Sequence, residues 1–229
     1  MKYKEFENII SAQRMRKYLV ACGGDTKKAM TLYRYNLELS KEMFTVISCF
    51  EVALRNRIDN VLVNHLGNEW LKDSILRGGI FNVDTRVANT KKIIEKAYNG
   101  LLKDGKYSHH KLLAEMEFGI WKYMYAAPQY ALTGNVLLDV FPNKPKTTVN
   151  IQFDNSYVFR ELDYINKLRN RIAHHEPICF NKNQNLDLTY VKNRHSRMIW
   201  LLQWMNIDSA SLLYGLDHID KIVKKIEAL

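Results

Sequence analysis

The stretch from Ser40 to Leu66, SKEMFTVISCFEVALRNRIDNVLVNHL, decides the fold class. Its apolar residues Met43, Val46, Ile47, Phe50, Leu54 and Ile58 recur three or four apart, and Leu62 and Leu66 continue the series, which sets them on one stripe of an α-helix. Ser40 is placed to cap the helix, because its hydroxyl can accept an orphan backbone N–H, and Gly67 supplies the backbone freedom that ends it. A helix of about seven turns with one apolar side must be covered by other elements. The remaining chain is therefore read for helices of the same kind.

Upstream, Phe6, Ile9, Ile10, Met15, Leu19 and Val20 lie among charged residues and predict one amphipathic helix over 6–21, stopped by Gly23 and Gly24. Asp25 or Thr26 caps the next helix, over 27–39. Downstream, an irregular segment around Trp70 and Gly78-Gly79 leads to a helix over 90–102 and an aromatic-rich one over 112–125. In the latter, Phe118, Trp121, Met124 and Tyr125 suit a core better than a base-stacking surface. His109 and His110 fall in a loop beside Lys106 and Lys111 and read as inert exposed surface, with a phosphate contact as the functional alternative. Val136 to Phe141 predicts a short helix, and Thr147 to Ile151 is the one strand-like segment. Two helices close the chain, over 188–204 and 209–226. Lys192, Arg194 and Arg197 on the first read as a solvated charged face, or as the extension of a basic groove. The expected fold is all-α, a single-domain bundle of about eight helices over residues 1–229 with two sub-lobes.

Within the central stretch, Leu54–Ile58 reads LRNRI, and the same five residues return in LRNRIAHHEP, Leu168 to Pro177. Leu162, Ile165, Leu168 and Ile172 form the apolar stripe of a helix over 157–175, while Asn166, Asn170 and His174 follow at i, i+4, i+8 on a polar face. Pro177 disfavours helical geometry at Glu176, so His174 belongs to the last turn. There the helix dipole favours imidazolium and the neighbouring arginines oppose it, a setting suited to proton transfer. Arg169 points elsewhere on the helix, yet its long side chain reaches an anion shared with His174. In the first copy, Asn60 stands where the second has His174, so Arg55 and Asn56 lack an imidazole and can only support a site. Glu51, one turn before Arg55, offers a structural alternative as its ion-pair partner. His174, His175 and Glu176 make a weak metal reading, since adjacent helical residues rarely point at one ion and no distant Cys/His cluster completes the set.

The 229 residues are 47% hydrophobic, enough for a sizeable core. A formal net charge of +10 implies affinity for polyanions, of which nucleic acid is the commonest inside cells. The three cysteines, Cys22, Cys49 and Cys179, have neither disulfide-framework nor zinc-ligand spacing. No phosphate-binding glycine loop, dinucleotide fingerprint, HExxH or nucleophile elbow is present. Met1 leads straight into charged residues and no apolar run reaches the roughly 20 residues of a membrane span, so a cytoplasmic location is expected.

Arg169-Asn170-x-x-x-His174 resembles the R-x4-6-H signature of HEPN ribonucleases, in the form found in the Abi-like (abortive infection) family. The blocks LYRYNLELS, FEVALRNRIDNVL, EFGIWKYM and LRNRIAHHEPI follow that family's order, so the resemblance covers most of the chain. It implies an Abi-like HEPN domain and an RNA endonuclease that needs no metal or other cofactor and acts as a toxin in phage defence. The 2′-OH of the RNA would attack the adjacent phosphate. Arg169, Asn170 and His174 would be catalytic, with Arg55, Asn56, Arg171, His175 and Glu176 in supporting or RNA-binding roles. The resemblance further implies a homodimer that brings two motifs together, and inhibition by a protein or RNA antitoxin. The competing class is a non-catalytic RNA-binding or protein-interaction helical module.

Overall fold

Helix formation dominates the chain, as the periodicities require. The computed structural model describes residues 1–229, of which 66% are helical, in twelve α-helices with no strand. The count exceeds eight because three expected helices are divided and two short ones arise at Trp70–Asp73 and Ala127–Leu132, although one pair is fused. Phe6 to Ala21 is divided at Ser11, whose backbone turns to φ +89°, leaving α1 (Tyr3–Ile10) and α2 (Ala12–Ala21), with the Ser11 hydroxyl accepting the Arg14 N–H at 3.2 Å. The fused pair is α3, Thr26–Leu66, which runs unbroken for 41 residues. Asp25 caps it by accepting the N–H groups of Lys27 and Lys28. Ser40 caps nothing: no glycine or proline interrupts this run, and the buried stripe passes straight from Leu39 to Met43. Gly67, at φ +98°, ends the helix as expected.

Two further expectations are corrected. Thr147 to Ile151 forms no strand; the Thr148 N–H bonds the Ile151 carbonyl in a tight turn, and Val149 lies open to solvent. His109 is not exposed surface. It opens α6 (His109–Ala114), capped by Ser108, and its ring is buried with Nε2 2.7 Å from Asp59 Oδ1, an oxygen that also accepts from Trp70 Nε1 at 2.8 Å. A carboxylate buried on the helix face just past the first LRNRI needs donors, and Trp70 and His109 supply them.

The remaining helices are α4 (Trp70–Asp73), α5 (Ala88–Lys103), α7 (Phe118–Tyr123), α8 (Ala127–Leu132), α9 (Asn155–Ala173), α10 (Thr189–Trp204), α11 (Ser209–Leu212) and α12 (Ile219–Glu227). They form two compact units. The first holds Met1–Cys49, Lys167–Met198 and Ala210–Leu229; the second holds Phe50–Asn166 and Ile199–Ser209. In the first, the rings of Phe6, Tyr18, Tyr33 and Phe180 meet edge to face at 5.1–5.5 Å between centroids. The apolar side of α12, Ile219, Ile222, Val223 and Ile226, is buried in the same unit. In the second, Phe50, Trp70, Phe118, Trp121, Tyr125 and Phe141 are fully buried, so the aromatic-rich helix is core as expected. No helix is long and apolar enough to cross a membrane.

Candidate active site at the end of the ninth helix

The second LRNRI closes α9, and its geometry follows from how that helix stops. His174 is the C-cap, its N–H bonding the Asn170 carbonyl at 2.9 Å. His175 turns left-handed at φ +56°, its N–H reaching the Ile172 carbonyl while the Glu176 N–H reaches Arg171. This is the Schellman pattern, which satisfies the carbonyls that a helix end leaves orphaned. A histidine in that conformation costs about 1 kcal/mol relative to glycine. Something must therefore hold it there.

Three side chains do. Arg171 Nη2 donates to the Pro177 carbonyl at 2.5 Å and to Phe180 at 3.4 Å, Arg171 Nε lies 3.5 Å from Glu176 Oε2, and the guanidinium stacks over the Tyr190 ring. Asn36 Oδ1, buried on α3, accepts the N–H groups of Ile178 and Cys179 at 2.9 and 3.2 Å. Arg14 Nη2, from α2, donates to the His175 carbonyl at 2.9 Å. Arg171 and Glu176, expected as supporting or RNA-binding residues, are thus engaged in forming the turn. Arg14 and Asn36 escaped the sequence reading because they lie 161 and 142 positions from their partners and belong to no local motif.

The three expected catalytic residues are differently placed. Leu168 is fully buried, which turns Asn170 and His174, at i+2 and i+6, toward solvent. The His174 imidazole is exposed and has no hydrogen-bond partner in the chain, so it is not a histidine tied into the core. Arg169 is half-buried. Its only hydrogen bond is a long one, Nη1 to Asn170 Oδ1 at 3.4 Å, and its Nε is buried with no partner. Asn170 therefore contacts Arg169, and not His174, through its side chain. In the second unit the first LRNRI repeats this detail, Arg55 Nε lying 3.4 Å from Asn56 Oδ1. Cys179 is no nucleophile here, since burial pushes its thiol up to about 12.

Two shallow grooves flank the turn. One, of about 310 Å³, is largely apolar and is lined by Leu37, Lys41 and Phe44 of α3 with Ile172, Ala173 and His175. The other, of about 300 Å³, is polar, with Gln13, Arg14 and Lys17 of α2 facing Glu176 and Pro177. On α10 the expected basic groove is only partly available: Lys192 pairs with Glu227 of α12 at 2.5 Å, and Arg194 lies over the Tyr190 ring.

The family described as Abi-like protein matches residues 2–179, which include α1 to α9 and the turn that Arg171, Asn36 and Arg14 hold. The chain belongs to the Abi-like family. No curated protein and no solved structure matches it. Within this Abi-like protein the matched span stops at Cys179, one of the two residues whose N–H groups Asn36 accepts, so α10 to α12 lie outside the match.

Proposed function

We propose that this Abi-like protein is a metal-independent endoribonuclease of the HEPN type, acting in the cytoplasm as a toxin in phage defence. The observation that carries the reading is the contrast among the cations of the turn. Arg14 and Arg171 are engaged with backbone carbonyls, whereas the Arg169 Nε is buried without a partner and the His174 ring is open and unbonded. An unsatisfied buried donor on a charged group costs about 1–3 kcal/mol, which a bound phosphate would recover.

In the proposed reaction a histidine removes the proton from a ribose 2′-OH, and the oxygen attacks the adjacent phosphorus. The P–O5′ bond breaks, a proton passes to the departing 5′ oxygen, and the products are a 2′,3′-cyclic phosphate and a 5′-hydroxyl. Arg169 neutralises the charge growing on the phosphorane oxygens, for which its planar, permanently charged donors are suited. Asn170 holds the Arg169 guanidinium through its Oδ1 and offers its amide to phosphate. Acid and base act on opposite sides of the phosphorus, and one chain supplies one His174. A two-fold homodimer therefore completes the site. The apolar groove beside His175, with Leu37 48% and Phe44 43% exposed, supports a contact surface next to the motif. A protein or RNA antitoxin acting at this face would restrain the enzyme.

The test is cleavage of single-stranded RNA by the purified chain in EDTA. The expected products end in 2′,3′-cyclic phosphate, a deoxy substitution at the cleaved nucleotide blocks the reaction, and light scattering gives a dimer. RNA binding with no cleavage would place the protein instead among non-catalytic RNA-binding modules, and equal cutting of DNA would rule out the 2′-OH route.

A further inference from the structure

The second unit carries a groove of about 650 Å³ whose residues play no part in the α9 site. One wall is a single face of α5: Ile93, Lys96, Ala97, Gly100, Lys103 and Asp104 follow at helical spacing. The opposite wall is the segment from Glu115 through α7, with Glu117, Gly119, Ile120 and Tyr123. Ile93 and Tyr123 are 47% and 46% exposed, although α5 has its own buried residue, Ile94, on the neighbouring face.

Two features show that the groove is kept open against local preference. Gly100 lies inside α5, where glycine costs about 1 kcal/mol relative to alanine, and Gly119 lies in the first turn of α7. Neither has a positive φ, and a Cβ added at either would meet nothing within 4 Å. Backbone geometry does not require these glycines, and packing within the chain does not either. Most rim charges are also unused: Asp104 is met by Lys106 at 3.6 Å, whereas Lys96 and Lys103 on the α5 wall, and Glu115 and Glu117 on the other, have no ion-pair partner in the chain.

We propose that this groove is a docking site for an amphipathic helix of a partner protein, with an apolar stripe bordered by acidic side chains on one edge and basic side chains on the other. The α5 face from Ile93 to Asp104 spans about 16 Å, which matches roughly three turns of a helix. Ala97, Gly100 and Gly119 let the partner's backbone approach closely, and Ile93, Leu101 and Tyr123 supply apolar contact. The opposite signs of the unpaired charges on the two walls specify the two edges. A second copy of this chain is the poorer occupant, because an isologous contact sets the same patch against itself and two concave faces leave the groove unfilled.

The probes are three fluorescein-labelled, side-chain-stapled helices of fourteen residues that share one leucine stripe and differ in their edges: one acidic and one basic, both acidic, or both basic. Stapling removes the helix-folding cost as a variable. The mixed-edge helix is expected to bind about tenfold more tightly than either uniform one, the worth of two or three exposed ion pairs, and to weaken as salt rises. Gly100→Leu, which fills the groove from the α5 wall, should abolish that binding, while Gly100→Ala should raise the Tm of the protein. The double variant Lys96→Glu/Lys103→Glu should shift the preference to the all-basic helix. No binding of the mixed-edge helix up to about 1 mM, or binding indifferent to edge charge or to Gly100→Leu, overturns the proposal. Concentration-dependent self-association that Gly100→Leu removes would overturn it in favour of a second copy. None of these readouts depends on RNA cleavage.

Discussion

The two LRNRI segments contain the same five residues and come to different ends. In both, the first leucine is fully buried and the arginine meets the following asparagine at 3.4 Å. After Leu54–Ile58 the helix simply continues, and the next residue, Asp59, is buried under Trp70 and His109. After Leu168–Ile172 the helix stops within two residues, and the turn that stops it leaves His174 exposed. The pentapeptide dictates a helix face and one buried anchor. What the chain does next decides whether that face becomes structure or a candidate site.

The sharpest way to break this comparison is by activity. Arg169→Ala and His174→Ala should each lower RNA cleavage at least ~100-fold, the usual worth of a charge stabiliser or a positioned acid-base group, while Arg55→Ala stays within about threefold of wild type. Initial rates on a fluorogenic RNA would show it, and an equal loss at both arginines would mean that the two copies act together. Loss of Arg169 should also weaken RNA affinity and its salt dependence modestly, whereas loss of His174 should leave binding nearly intact.

Stability should give the opposite ranking. Asp59→Ala strands the Trp70 and His109 donors in a buried setting and should cost about 2–3 kcal/mol in urea denaturation. A cost near zero would show that the first copy's surroundings are not structural. Arg171→Ala removes a charged donor from the Pro177 and Phe180 carbonyls, with an expected loss of about 1–2 kcal/mol. In the other direction, His175→Gly relieves the left-handed backbone and should raise stability by about 1 kcal/mol; a decrease would show that the imidazole makes a stabilising contact.

The smallest effect is a pH dependence to which two carboxylates that meet histidines in the first unit contribute. Burial works against the Asp217 carboxylate, but the His195 Nε2 contact at 2.6 Å, together with the Ile219 N–H and the nearby His218, more than offsets it, so the Asp217 pKa lies below the usual carboxylate range. Glu42 behaves likewise: burial opposes its charge, and Lys41 and then His218 outweigh that. Carboxylates with depressed folded values bind protons later in the folded state than in the unfolded chain. Their contribution is therefore complete above the unfolded value of about 4 and is lost as pH falls through the folded value. Thermal melts between neutral and acid pH should show a decline below that point, and Asp217→Asn should lessen it.

Periodicity alone established that the chain is helical, because burying one side of a 3.6-residue repeat leaves a mark at every third or fourth position. The stripe from Met43 to Leu62, the aromatic core around Trp121 and the glycine stop at Gly67 were all legible in this way. Breaks that depend on a single backbone rotation, such as Ser11, left no periodic mark, and Ser40 resembles a cap only where 27–39 and the stretch after it are taken as two helices and not one. The sequence also located the Arg169–His174 stretch and the approximate end of its helix, since arginine, asparagine, histidine and proline each have local preferences. The roles of Arg14, Asn36, Asp59 and His109 were decided by tertiary structure alone. A buried acceptor or an orphaned carbonyl must be satisfied by whichever donor the fold brings near, and distance along the chain does not reveal which that is.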